Sequence, residues 1–213
     1  MKIITVDSTN PDAFAIAAAG KALKNGEIIA YLTDTLYGFG GDARALVAIE
    51  RVFALKGRAA EKALPVIIGE KEIASNYIAE IPSSAEILIE QFWPGPLTLI
   101  FKAAVSVSPK LIGESGKIAM RLPAAKLARE ISKNLGAPII ATSANRSGEP
   151  VLSAATAIAE IFGEQLALIL DSGPPLQTQP STIIDVTTVP PSLVRAGAVP
   201  VAEIRQCIGE LKT

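Results

Sequence analysis

Histidine is absent from the 213-residue chain, and cysteine occurs once. The first absence excludes Ser-His and Cys-His nucleophilic catalysis, histidine general bases and histidine-ligated zinc or iron. The second excludes an internal disulfide and a cysteine metal cluster. Cys207 falls in a helical pattern near the C-terminus and reads as a buried structural thiol. Aromatic residues make up only 5% of the chain, so the core must be built from Ile, Leu, Val and Ala. A dominant charge is missing too: 20 Lys+Arg against 21 Asp+Glu leave a formal net charge of -1. That argues against a broad nucleic-acid or anionic-membrane surface, though not against a local basic pocket. No apolar run approaches the ~20 residues needed to cross a bilayer. The N-terminal segment, Met1 to Asp7, lacks the apolar core of a signal peptide. The expectation is a soluble, cytoplasmic protein with no membrane partner.

Hydrophobic residues are 49% and charged residues 19%, enough to bury a core. The length suits one large domain over residues 1–213. Strand-like and helix-like segments alternate. Lys2 to Val6 reads as a strand. Asn10 reads as an N-cap with Pro11 at the first helical position, for a helix running to about Lys24. Glu27 to Leu32 is an apolar run of strand length. Thr33 to Gly41 reads as a polar, glycine-rich loop, and Asp42 as the cap of a helix to about Leu55. Leu64 to Gly69 has the continuous apolar pattern of a strand buried on both faces. Short helices are expected over Glu70–Tyr77 and Ser83–Phe92, then a break at Trp93-Pro94-Gly95-Pro96. Leu97–Lys102, Lys117–Arg121, Pro138–Thr142, Leu166–Leu170, Thr182–Val186 and Ser192–Arg195 read as strands. Helices are expected over Ala124–Leu135, over Ser153–Phe162 and from Pro200. This is an α/β pattern: one mixed sheet with helices around it.

Three polar segments could carry chemistry. Thr33-Asp34-Thr35-Leu36-Tyr37-Gly38-Phe39-Gly40 leaves an apolar strand, where α/β sheets place small-molecule sites. Lys56-Gly57-Arg58 with Lys62 groups cations suited to a polyphosphate. Read as extended chain, Lys56 and Arg58 point to one side. Thr142-Ser143-Ala144-Asn145-Arg146-Ser147-Gly148 brings hydroxyls and backbone N–H groups to a strand end. The competing readings are a capped turn, a solvated helix end and a Ser or Asx turn. Gly38 to Ala43 also fits G-x-G-x-x-A, but the strand ends too early and Glu70 lies too far on for a dinucleotide site. No Walker A pattern occurs.

Seven motifs follow in order: residues 33–40, Lys56-x-Arg58, Trp93 to Thr98, Arg121-Leu122-Pro123, Thr142 to Gly148, Ser181 to Asp185, and Arg195-Ala196-Gly197. Together they resemble the YrdC-like family of L-threonylcarbamoyladenylate synthases, in its short form, over nearly the whole chain. The resemblance implies a twisted open mixed sheet with surrounding helices and a large, positively lined concavity. It implies a nucleotidyltransferase that forms threonylcarbamoyl-AMP and pyrophosphate from L-threonine, bicarbonate and ATP, with Mg²⁺. A tRNA-modifying threonylcarbamoyl transferase would consume the product. Thr35, Ile67, Arg121, Ala141 and Ser181 match threonine-holding positions. Lys56, Arg58, Lys62, Lys117, Ser143, Asn145, Val151 and Arg195 match the nucleotide side, with Lys56 and Arg58 catalytic. Leu32 and Ala59 stand where the family often has proline, which alters loop stiffness rather than chemistry. The alternative is a non-catalytic RNA-binding or regulatory protein of the same fold, which the net charge and few aromatics disfavour.

Overall fold

A computed structural model describes residues 1–57, 63–175 and 179–213. In chain order the elements are β1 (Lys2–Thr5), α1 (Ala13–Lys24), β2 (Ile29–Leu32), β3 (Tyr37–Gly40), α2 (Leu46–Lys56), β4 (Val66–Ile67), α3 (Ser83–Phe92), β5 (Leu97–Lys102) and α4 (Pro109–Ile112). They continue with β6 (Lys117–Arg121), α5 (Lys126–Leu135), β7 (Ile139–Ile140), β8 (Thr142–Ser143), α6 (Ala155–Phe162), β9 (Leu168–Asp171), β10 (Thr182–Asp185), β11 (Ser192–Arg195) and α7 (Val201–Ile208). Residues Lys71–Asn76 form a 3₁₀ turn. Among the described residues no helix is long and apolar enough to cross a membrane.

The strands form two mixed sheets rather than the single one expected. One has the order β1-β9-β2-β3-β8 and the other β11-β10-β5-β6-β4-β7. The segment expected as one strand over 138–142 is divided at Ala141. Its first half, β7, pairs antiparallel with β4, and its second half, β8, pairs antiparallel with β3. Backbone bonds pin this seam from both sides: Ile140 N donates to Gly41 O and Ala141 N to Pro65 O, each at 2.8 Å.

Local chemistry explains three further departures. The first helix is capped by Asp12, whose carboxylate accepts from Ala15 N at 2.8 Å, so Asn10 and Pro11 lie outside it. Asp42 does not cap α2: it accepts from Arg44 N and pairs with the Arg44 guanidinium at 2.8 Å, and α2 begins after Ala45 without a side-chain cap. The expected glycine-rich loop contains β3, which folds back antiparallel on β2. Alternation makes this work: Tyr37 and Phe39 enter the core, while glycines fill the opposite positions. A Cβ at Gly40 would come within 2.7 Å of Tyr31 Cε1, so the close strand approach requires glycine there.

Two apolar clusters hold the molecule together. The larger lies under β3, β5 and β6 and includes an edge-to-face contact between Phe39 and Phe162, with centroids 4.9 Å apart. The smaller packs Ala15, Ala19, Ala22 and Leu23 of α1 against Leu127, Ala128, Ile131 and Leu135 of α5. Those i, i+3, i+4 spacings give each helix one apolar stripe, and the alanines let the helices approach closely. Each buried Leu or Ile contributes about 1.5–3 kcal/mol. Cys207 is partly buried against the larger cluster.

Candidate functional site

The six-stranded sheet divides its side chains between core and cavity with period two. On β5, Leu97, Leu99 and Phe101 enter the core while Thr98 and Ile100 line a cavity of about 650 Å³. On β6, Ile118 and Met120 enter the core while Ala119 and Arg121 face the cavity. Across the seam, the turn after β2 contributes Thr33 and Thr35, α2 contributes Lys56 at its last residue, and the β8 turn contributes Ser143 and Asn145. The described lining contains the cations Lys56, Arg121 and Arg195 and no carboxylate.

Lys56 is only 4% exposed, so its ammonium must be paired to be stable there. Its Nζ donates to Ser143 O at 2.7 Å and to Asn145 Oδ1 at 2.6 Å. Ser143 Oγ donates to the same Asn145 oxygen at 2.6 Å. Ser147 N donates to Lys56 O at 2.8 Å, which ties the helix end to the β8 turn. Lys56 is helical and Gly57 left-handed, at φ 57°, so the expected extended Lys56-Gly57-Arg58 geometry does not hold at its first two residues. Arg58 and Lys62 lie outside the described residues.

On the other wall, Arg121 is 6% exposed and donates from Nη1 to Asp34 Oδ1 at 3.0 Å. Arg195 reaches in from the end of β11. Its Nε and Nη2 donate to Ser181 O at 3.1 and 2.8 Å, and Nη2 also donates to Ser181 Oγ. Partial burial, then the like charge of Arg121, pull the Arg195 guanidinium below its ordinary pKa. Two guanidiniums close enough to feel each other are the kind of arrangement that an anion would stabilise. Ser181 Oγ also shares a hydrogen bond with Thr98 Oγ1 at 2.8 Å. Beside the cavity, burial pushes the Tyr37 phenol up to about 12. It stays protonated and donates to Gly173 O at 2.8 Å, anchoring the segment after β9.

The structure thus brings Thr35, Ile67, Arg121, Ala141, Ser181, Lys56, Ser143, Asn145 and Arg195 around one cavity. Two sequence-predicted residues stand off it. Lys117 begins β6 and pairs with Asp185 Oδ2 at 2.8 Å instead of lining the hollow. Val151 follows the β8 turn and is also absent from the described lining. Sequence reasoning gave Thr98 no role, although it closes the 93–98 motif. Its place opposite Ile183 of β10, with its hydroxyl against that of Ser181 just before the strand, emerges only from the pairing.

Comparison with known proteins addresses what this constellation belongs to. A family model named for Sua5, YciO and YrdC, and described as "Telomere recombination", matches residues 21–197. The chain belongs to the Sua5/YciO/YrdC family. It is 37% identical over 197 residues to a threonylcarbamoyl-AMP synthase of Pyrococcus abyssi, covering 92% of this chain and 58% of the relative, so it spans little more than half of that protein. A Mycobacterium leprae relative is 35% identical over 205 residues, covering 95% of this chain and 93% of its own length. Among solved structures, P. abyssi Sua5 complexed with L-threonine superposes with a TM-score of 0.95 at 36% identity, covering 100% of this chain and 62% of that one.

Proposed function

We propose that the chain is an L-threonylcarbamoyladenylate synthase, a nucleotidyltransferase that converts L-threonine, bicarbonate and ATP to threonylcarbamoyl-AMP and pyrophosphate. The product would serve a threonylcarbamoyl transferase that modifies tRNA adenosine beside the anticodon, in the cytoplasm. The observation that carries the reading is the shared cavity, with three cations and no carboxylate on its described lining. Homology to a synthase bound to L-threonine supports the amino-acid assignment.

In this reading threonine's amine condenses with bicarbonate, losing water, to give a carbamate. A carbamate oxygen then attacks the ATP α-phosphorus and displaces pyrophosphate. The barrier is largely the approach and alignment of anions, which fixed cations lower without a titrating base. Arg121 pairs with the threonine carboxylate, while the Thr35 and Ser181 hydroxyls offer neutral hydrogen bonds beside it. Lys56, held by Ser143 and Asn145, and Arg195 take the nucleotide side, joined by Arg58 and Lys62 on motif grounds. Lys117 and Val151 lie off the described lining, and that weakens their assignment to the nucleotide. Among the described residues no group of three acidic, cysteine or histidine side chains could hold a metal. Mg²⁺ would therefore enter with ATP on the substrate's phosphates, which this metal uses as ligands in place of an all-protein cage, and no step here runs through a resident ion.

The deciding experiment is mass spectrometry of the product formed from labelled threonine, bicarbonate and ATP. Label from threonine and bicarbonate in an AMP adduct is expected. Pyrophosphate release that persists undiminished without threonine would overturn the assignment. Tight, steeply salt-dependent RNA binding with no ATP turnover would favour the RNA-binding alternative.

A further inference from the structure

Asp34 sits between two residues of the cavity wall, Thr33 and Thr35, but is not itself part of the described lining. The turn is compact: Thr33 Oγ1 accepts from Thr35 N and Leu36 N, each at 3.2 Å, and donates to Leu36 O at 2.8 Å. The Asp34 side chain is 13% exposed and that of Arg121 is 8% exposed, and they meet across 87 positions of sequence. Asp34 Oδ2 is buried with no hydrogen-bond partner among the described residues. A carboxylate in such surroundings is costly unless its charge is used. The hydroxyl of Tyr31, fully buried, feels both charges, and burial raises its pKa. Arg121, Asp34 and the Tyr31 hydroxyl therefore lie close enough to feel one another.

The two arginines of this wall differ in which edge they commit. Arg195 spends its Nε and Nη2 on the Ser181 carbonyl. Arg121 spends Nη1 on Asp34, and its Nε and Nη2 have no partner among the described residues. Those two nitrogens form the side of a planar guanidinium that matches both oxygens of a carboxylate.

We infer that Asp34 is a positioning residue: it grips Arg121 through Nη1 so that the Nε–Nη2 edge stands as a fixed, two-pronged receptor for the substrate's α-carboxylate. The inference rests on the threonine reading proposed above. Asp34 does not touch the substrate. It acts by fixing the plane of Arg121, and thereby makes a free carboxylate the feature by which the site selects its amino acid.

The test is steady-state kinetics on the full chain with threonine and ATP varied separately. Asp34→Asn keeps the shape and removes the charge. It should raise the threonine KM by about ten- to a hundredfold, in the range seen when a residue behind a binding group is lost. The ATP KM should stay within about twofold, because uniform binding of the nucleotide is untouched. Preference for L-threonine over L-threonine amide, measured as binding to the wild type and the variant, should shrink in parallel. Asp34→Glu, which restores the charge, should recover part of the threonine KM. If Asp34→Asn does not fold, Asp34→Glu decides alone: a rise confined to threonine supports the inference. An unchanged threonine KM in Asp34→Asn, or in Asp34→Glu where that variant decides alone, or equal losses for threonine and ATP in either variant, would overturn it. Turnover by the unaltered chain that ignores threonine would sink the proposed function, and this inference with it, before any variant is made.

Discussion

The two walls of the cavity handle positive charge in opposite ways. On the helix-end wall, Lys56 is locked into bonds with Ser143 and Asn145, so its charge is stationary. On the six-stranded wall, Arg121 keeps one edge uncommitted among the described residues, and burial, then the like charge of Arg121, disfavours the charged form of Arg195. The first wall's cation is directed inward at the protein's own acceptors. On the second, Asp34 and Ser181 hold the guanidiniums, and one edge of Arg121 has no partner among the described residues. A fixed charge suits a position where negative charge develops during reaction, whereas an open fork suits ground-state recognition of a small carboxylate.

Breaking the helix-end wall should have the largest effect. Lys56→Ala removes the fixed charge and leaves Asn145 Oδ1 and Ser143 O short of a donor. Activity, as kcat/KM for ATP, should fall about 10³-fold, as for loss of a pre-organised donor. The decisive measurement is single-turnover pyrophosphate release, with circular dichroism to confirm folding. Next comes the opposite wall. Arg121→Ala should weaken threonine binding by about 3 kcal/mol, the upper range for bonds to charged groups, or roughly a hundredfold by calorimetry. If both variants lose ATP and threonine binding equally, the division of labour between the walls is wrong.

A neutral contact sharpens the comparison further. Ser181→Ala removes one hydroxyl shared with Thr98 and Arg195 and should cost about 1 kcal/mol, near fivefold in threonine KM. The smallest effect belongs to Lys117, outside the described lining. Lys117→Ala should change turnover by less than about threefold, the size of effect expected of a partly exposed pair. Its signature is in stability. Burial raises the Asp185 pKa, but donation from Lys117 and Thr187 outweighs this and holds it below the ordinary 3.8. An acid depressed in the folded state adds stability above its unfolded pKa and loses it as pH falls through the folded one. The gap between wild type and Lys117→Ala in urea denaturation should therefore be widest near neutral pH and close below about pH 4. A gap that persists in acid would mean that Lys117 acts through packing.

These walls were unequally visible in the sequence. Motif order was enough to gather Thr35, Arg121, Ser143, Asn145 and Arg195, because each sits at or just past a strand end where side chains converge. The division into two sheets was not legible, since pairing of β7 with β4 and β8 with β3 is decided by contacts far apart in the chain. β3 was hidden because Gly38 and Gly40 lower strand propensity, and only the neighbouring strand shows why glycine is required. Lys117 was assigned through the resemblance alone, and nothing local foretold its pairing with Asp185, 68 positions on. Asp34 looked like one more polar group in a turn. Nothing local tells that its charge is directed at a guanidinium on β6.

Ala141 has one further consequence. It is the single residue between the last strand of one sheet and the last strand of the other, anchored through its N–H to Pro65. One residue of extended chain advances about 3.3 Å. At this seam the edge strands of the two sheets are consequently held one residue apart by the chain itself, so a change in their separation there falls on the backbone torsions of Ala141.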